Sequence, residues 1–194
     1  GLDIPITVGG GISSVADAKV LLDSGASRVS VGGAAIDNPN LIDELVAEFG
    51  SQAVVIAIDA QPINGEWKVF RDGGRTSTDM DLISWAVEAE KRGAGSVLFT
   101  SIAHDGKQTG YPVEALAALK GSISIPLIAS GGAGKLADFY DALTTGQADA
   151  VLAASLFHYN QVTVDELKFF LWREGVKVNL NRCIDRIQFD DKGL

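Results

Sequence analysis

Short apolar runs alternate with longer amphipathic stretches along most of the chain. Apolar runs rich in β-branched residues predict six buried strands: Ile4–Val8, Arg28–Val31, Ala53–Ile58, Ser96–Thr100, Ile125–Ala129 and Ala150–Ala153. Apolar residues at helical spacing predict six helices: Val15–Leu22, Leu41–Phe49, Leu82–Lys91, Val113–Leu119, Lys135–Leu143 and Val164–Trp172. Because apolar strands that alternate with helices are typical of parallel sheets with a covered face, the pattern predicts an α/β fold.

An internal repeat favours a barrel, although doubly wound sheets also fit the alternation. Gly10 and Gly32 end two strands near the front, and Gly132 and Ala154 end two near the back, with 22 positions between the members of each pair. Two equivalent half-barrels would produce this repeat, so we expect the TIM (β/α)8-barrel family. The sequence shows only six of the eight βα units, and its 194 residues are fewer than the ~250 of a complete barrel. We therefore expect a partial barrel over residues 1–180, with the first two units absent, and a tail or linker over residues 181–194 that starts a second domain.

Composition narrows the class of function. The chain has 194 residues, 46% of them hydrophobic, and a formal net charge of −9, which argues against a nucleic-acid surface. No apolar run approaches the ~18 residues of a membrane span, so we expect no membrane contact. The single cysteine, Cys183, excludes an internal disulfide and predicts a cytoplasmic protein. Phosphorylated small molecules fit even an acidic chain, because backbone N–H groups at helix N-termini bind phosphate without lysine.

The glycine-rich strand ends predict two anion sites. One would combine Gly10-Gly11, Gly32-Gly33 and Ala154-Ser155, since the first and last strands become neighbours when a barrel closes. The other would combine Gly106 with Gly131-Gly132. A single Gly-Gly turn is more often ordinary turn chemistry, but two symmetric pairs at equal spacing favour phosphate. Two sites at one mouth predict an elongated substrate with a phosphate at each end.

Two aspartates follow predicted strands. Asp59 ends the run 54–58, at the barrel mouth where catalytic groups lie, and partial burial would raise its pKa into a range suited to proton transfer. Capping of the next loop is an equally good interpretation from position alone. Asp105 follows the next strand and could orient substrate or support Asp59. We interpret His104 as a solvent-facing loop residue and His158 as a helix-start or packing residue, and we expect neither a metal site nor a cofactor.

An insertion separates the third strand from its helix. Residues 61–80 far exceed a usual βα loop of about 2–6 residues. The turn signal Asn64-Gly65, followed by Trp67–Phe70, predicts a small hairpin. Such a loop at a barrel mouth generally carries substrate contacts, and a hairpin that merely caps the barrel is the alternative.

Several motifs together resemble the cyclase subunits of imidazole glycerol phosphate synthase. They run in order over residues 4–180: Thr7–Ile12, Gly50–Val55, Ala57–Ala60, Asp105-Gly106, Gly110-Tyr111, Ile128–Gly134 and Leu152–His158. The resemblance implies a histidine-biosynthesis enzyme that accepts ammonia from a glutaminase partner. It would convert phosphoribulosyl-formimino-AICAR ribonucleotide, a substrate with two phosphates, to imidazole glycerol phosphate and AICAR ribonucleotide.

Residue roles follow from the same resemblance. Asp59 matches the acid–base aspartate of the family's fifth strand, and Asp105 matches a further carboxylate near the substrate. The family's first-strand aspartate would precede this sequence. Arg28 replaces the lysine of a charged gate through which ammonia is thought to enter, Ser96 replaces a gate glutamate, and Gln52 matches a position at the glutaminase interface.

The chain also departs from the family. Gly32-Gly33 replaces an Asn-Thr pair that is common in the phosphate turn, and Ala103 replaces an aspartate. Residues 187–194 resemble the opening of phosphoribosyl-AMP cyclohydrolase. Two alternatives stay open: the related isomerase that acts one step earlier, and a non-catalytic phosphate-binding barrel fragment. We expect this partial chain alone to be inactive and to self-associate through its open barrel edges.

Overall fold

A computed structural model describes residues 4–180, and parallel strands form its centre. The predicted tail, with Cys183 and the segment 187–194, lies outside the described residues. The strands are β1 (Thr7–Gly9), β2 (Arg28–Val31), β3 (Val54–Ile63), β4 (Glu66–Arg71), β5 (Thr76–Asp81), β6 (Ser96–Ser101), β7 (Leu127–Ser130) and β8 (Ala150–Leu152). The helices are α1 (Val15–Asp23), α2 (Gly33–Asp37), α3 (Asn40–Phe49), α4 (Leu82–Lys91), α5 (Val113–Lys120), α6 (Leu136–Leu143), α7 (Ser155–His158) and α8 (Val164–Arg173).

Six of the strands form one parallel sheet in the order β1-β2-β3-β6-β7-β8. Every neighbouring pair in that order is parallel, and between successive strands the chain passes through at least one helix. Within residues 4–180, β1 and β8 each pair with only one strand. The expected partial (β/α) barrel is therefore confirmed, whereas two further units ahead of β1 stay a prediction.

The two faces of this sheet differ in chemistry. Val54, Ile56 and Ile58 of β3 and Phe99 of β6 are fully buried in the core that the helices cover. Full burial of one such side chain stabilises the fold by about 1.5–3 kcal/mol. Because side chains alternate along a strand, the opposite face carries Asp59 and its neighbours, and we call it the inner face.

The insertion after β3 forms the predicted hairpin. β3 continues to Ile63 and pairs with antiparallel β4, which in turn pairs with β5. The residues between β3 and β4, Asn64 and Gly65, both have positive φ, 51° and 85°, as a type I′ turn requires. At the far end of β4 from this turn, Arg71 Nη1 lies 2.8 Å from Asp37 Oδ1, an ion pair that links β4 to α2.

Local capping explains where several helices begin. The side chains of Ser14, Asp81 and Thr163 each accept a backbone N–H at the start of α1, α4 and α8. The six predicted helices all form, with ends within a residue or two of prediction. No helix among residues 4–180 is long and apolar enough to cross a membrane.

Candidate functional site

A row of side chains crosses the inner face at the carboxyl ends of four strands. Asp59 on β3 pairs in register with Thr100 on β6, Thr100 with Ser130 on β7, and Ser130 with Leu152 on β8. Because paired residues of parallel strands point to the same side, these four side chains share one face. The row places a single carboxyl group among two hydroxyls and an aliphatic chain.

The surroundings of Asp59 favour its protonated form. Burial is the main cause that raises the pKa of this carboxyl, and the negative charge of Asp105 raises it further. The adjacent side chain of Thr100 lowers the pKa. The net shift is upward, so Asp59 holds a proton to higher pH than an ordinary aspartate. Capping of a loop, the alternative interpretation of this residue, would instead lower its pKa.

The loop after β6 carries Asp105 back over the strand ends. The N–H of Asp105 donates to the carbonyl of Ser101 at 2.9 Å. Further along, the N–H of Gly110 donates to the carbonyl of Gly132 at 2.8 Å, and the hydroxyl of Tyr111 donates to the carbonyl of Leu152 at 2.9 Å. The loop is thus tied to the ends of both β7 and β8.

Asp105 lines a cavity of about 260 Å³ between this loop and the ends of β7 and β8. Glycine is required at its wall: a Cβ on Gly131 would lie 2.7 Å from the Ser101 carbonyl oxygen, and φ there is +86°. Most of the lining comes from backbone and small side chains. The lining residues are Asp105, Gly106, Ser130, Gly131, Gly132, Ala133, Leu152, Ala153, Ala154 and Ser155.

The predicted anion group of Gly10-Gly11, Gly32-Gly33 and Ala154-Ser155 is divided between the two edges of the described sheet. Gly10 and Gly11 follow β1 with φ of +106° and +70°, and a Cβ on either would meet open space. Gly32 and Gly33 follow the adjacent strand, β2, and begin α2. Ser155 lies instead in the cavity beside Asp105, because β8 pairs with β7 and stands at the opposite edge of the described sheet from β1.

Arg28 and Gln52 lie at the other end of the strands. Arg28 begins β2, two residues before Ser30, so both side chains leave the inner side of the strand. Gln52 is exposed in a 3₁₀ turn, Ser51–Ala53, that leads into β3. Ser96 is buried at the start of β6, and Arg28 forms no ion pair within residues 4–180.

His104 differs from our interpretation of it as a solvent-facing residue. His104 is half-buried, and its Nδ1 lies 2.7 Å from the fully buried hydroxyl of Ser101. The sequence feature that could have indicated this contact is a serine at a predicted strand end, three residues before His104. His158 ends α7 and contacts the ring of Tyr159. Among residues 4–180 no group of three or more His, Cys, Asp or Glu side chains could hold a metal ion.

Known proteins of histidine biosynthesis are similar to most of this chain. A family model described as a histidine biosynthesis protein matches residues 1–163. The chain is 51% identical over 179 residues to the imidazole glycerol phosphate synthase subunit HisF of Flavobacterium psychrophilum, covering 92% of this chain and 71% of that protein. It is 51% identical over 177 residues to the subunit of the same name from Bacteroides fragilis, covering 91% of this chain and 71% of that protein.

Proposed function

The chain belongs to the histidine biosynthesis protein family, its function is that of the cyclase of imidazole glycerol phosphate synthase, and we propose that Asp59 carries the proton transfers of this reaction. The enzyme is of the lyase type and forms imidazole glycerol phosphate and AICAR ribonucleotide from phosphoribulosyl-formimino-AICAR ribonucleotide and ammonia. Incorporation of ammonia, ring closure and release of the second product all require protons to move. A positioned carboxyl group with a raised pKa is suited to that work near neutral pH.

The single observation that carries the proposal is the relation of Asp59 to Asp105. Asp105 lines the cavity at the strand ends, and its charge is close enough to raise the pKa of Asp59. A substrate that extends from the cavity along the inner face toward β3 would reach both carboxyl groups. In this proposal Asp59 exchanges protons with the substrate, and Asp105 orients the substrate and keeps the Asp59 carboxyl protonated to higher pH.

The two phosphates of the substrate would occupy the two glycine-rich regions. One phosphate would lie in the cavity formed by Gly106, Gly131-Gly132 and Ala154-Ser155, where backbone N–H groups and the Ser155 hydroxyl are the available donors. The other would lie against Gly10-Gly11 and Gly32-Gly33, which follow adjacent strands. Asp59 and Thr100 lie between these regions in strand order, as a reacting centre between two phosphates requires.

Ammonia would come from a glutaminase subunit at the opposite face. Arg28 and Gln52 lie at the amino ends of their strands, where a partner could dock without covering the substrate. From Val55 to Asp59 the strand rises about 13 Å at ~3.3 Å per residue, so ammonia would travel a short distance along the inner face. Gln52→Arg should then reduce glutamine-dependent turnover in the presence of the glutaminase while leaving turnover with added ammonium unchanged.

We further propose that the described sheet edges permit self-association and that the protein works in the cytoplasm. β1 and β8 each present an unpaired edge within residues 4–180, and Ile6 and Leu152 are exposed there. A chain restricted to residues 4–180 should sediment as dimers or larger species and lack turnover. A stable monomer in sedimentation velocity would contradict the association.

A direct assay separates the cyclase from the isomerase that acts one step earlier, which also binds a substrate with two phosphates. The full-length protein should consume phosphoribulosyl-formimino-AICAR ribonucleotide with ammonium and release AICAR ribonucleotide. It should leave the isomerase substrate unchanged. Turnover of the isomerase substrate alone, or of neither, would refute the proposed function.

A further inference from the structure

A hydrogen bond joins Ser101 and His104 beneath the loop that carries Asp105. Ser101 is the last residue of β6 and is fully buried, and its Oγ lies 2.7 Å from Nδ1 of the half-buried His104. Because a buried hydroxyl without a hydrogen-bond partner destabilises the fold, the contact with His104 supplies the partner that Ser101 needs. The bond spans three residues and closes a turn at the end of the strand.

Hydrogen bonds between its own backbone groups also stabilise the same turn. The N–H groups of His104 and Asp105 both donate to the carbonyl of Ser101, at 3.2 and 2.9 Å, and the N–H of Lys107 donates to the carbonyl of His104 at 3.0 Å. His104 is therefore held by both side-chain and backbone hydrogen bonds, and Asp105 is the next residue along the chain.

The loop after β7 packs on the other side of the turn. A Cβ on Gly132 would lie 3.1 Å from Cβ of His104, and a Cβ on Gly131 would lie 3.4 Å from Cβ of Asp105. His104 is thus confined between Ser101 and Gly132, and Asp105 lies against Gly131. The turn has little room to move without breaking the bond to Ser101.

From this geometry we infer that His104 is a positioning residue, which holds Asp105 toward Asp59 through its hydrogen bond to Ser101. The inference rests on the proposed role of Asp59 and Asp105. It adds that the orientation of Asp105 depends on a side chain that itself exchanges no proton with substrate. Burial lowers the pKa of His104, and the charge of Lys107 lowers it further, so the ring is neutral at neutral pH.

The first test reads the position of Asp105 without any turnover. In full-length protein with ¹³C-labelled aspartate, Asp105→Asn should lower the pKa of Asp59, because it removes the neighbouring charge. His104→Ala should lower the same pKa in the same direction by a smaller amount, because Asp105 moves away. His158→Ala, at the chain's other histidine, should leave it unchanged. A pKa of Asp59 in folded His104→Ala equal to that of the wild type would overturn the inference.

Two amide variants guard against simple misfolding. His104→Asn keeps a hydrogen-bonding group at the place of Nδ1, whereas His104→Gln moves it out to the place of Nε2. Asn should preserve the pKa of Asp59 and most of kcat, while Gln and Ala should reduce kcat by about tenfold to a hundredfold with a smaller change in KM. Equal behaviour of Asn and Gln would contradict a role through Ser101.

The proposed function and the role of His104 can be refuted separately. If wild-type protein lacks cyclase turnover, the proposed function fails, and the titration of Asp59 still decides whether His104 positions Asp105. If turnover is present but His104→Ala retains wild-type kcat and an unchanged pKa of Asp59, only the role of His104 is refuted.

Discussion

Asp59 and Thr100 are paired in register on adjacent parallel strands, and both side chains lie on the inner face. The neighbouring Thr100 hydroxyl favours the ionised Asp59 carboxyl, whereas burial and Asp105 favour the protonated one. Thr100 therefore moderates the upward shift in the pKa of Asp59. Because the register of β3 and β6 places Thr100 beside Asp59, the central sheet itself influences the pKa of Asp59.

Replacement of Thr100 should change the pKa of Asp59. Thr100→Val removes the hydroxyl and nearly preserves side-chain volume, so the pKa of Asp59 should rise further above its ordinary value. The limb of the kcat–pH profile that reports Asp59 should then move to higher pH. Thr100→Ser keeps the hydroxyl and should leave the limb in place. A shift to lower pH in Thr100→Val would contradict this role.

Asp59→Asn should stabilise the protein at neutral and alkaline pH. Because the folded pKa of Asp59 is raised, the folded state binds more protons than the unfolded state between the ordinary and the raised pKa. Wild-type stability therefore falls as pH rises through that window, and the neutral amide avoids this loss. Thermal denaturation should give a higher Tm for the variant at pH 8 and a smaller difference at pH 4. An unchanged or lower Tm at pH 8 would argue against a desolvated carboxyl.

The sequence predicted the strands and helices well but assigned the site only in part. β2 and α4 have the predicted bounds, because apolar periodicity is strong in both. The short helices α2 and α7 were not predicted, since five and four residues are too few to show a helical period. The predicted grouping of Ser155 with Gly10 and Gly32 assumed contact between the first and last strands, which lie at opposite edges of the described sheet. The Ser101–His104 bond depends on loop conformation, which local sequence does not determine.

Two glycines with positive φ should respond very differently to alanine. At Gly10 the added Cβ meets open space, so Gly10→Ala should cost only the backbone strain, about 1–3 kcal/mol in the free energy of unfolding. At Gly132 the Cβ would also overlap the carbonyl of Gly110, so Gly132→Ala should cost clearly more and release the loop that carries Asp105. Urea denaturation measures both. Equal costs would show that the two loops do not pack as described.

The cavity wall at Ser155 should discriminate by charge. Ser155→Ala keeps the backbone donors and removes one hydroxyl, so KM should rise by about twofold to tenfold, as expected for one hydrogen bond. Ser155→Asp places a negative charge in the cavity and should raise KM by well over that amount with a smaller effect on kcat. Steady-state kinetics over a range of substrate concentrations tests both variants. Similar KM values for the two would mean that no phosphate binds there.

The proton-transfer role of Asp59 is tested most directly by ammonia-dependent turnover of Asp59→Asn in the full-length protein, with substrate affinity measured in parallel by calorimetry. Loss of a general acid–base group should lower kcat by about 10²–10⁴-fold and leave substrate binding nearly unchanged. Turnover within about twofold of the wild type, in a variant that folds and binds substrate, would contradict the account.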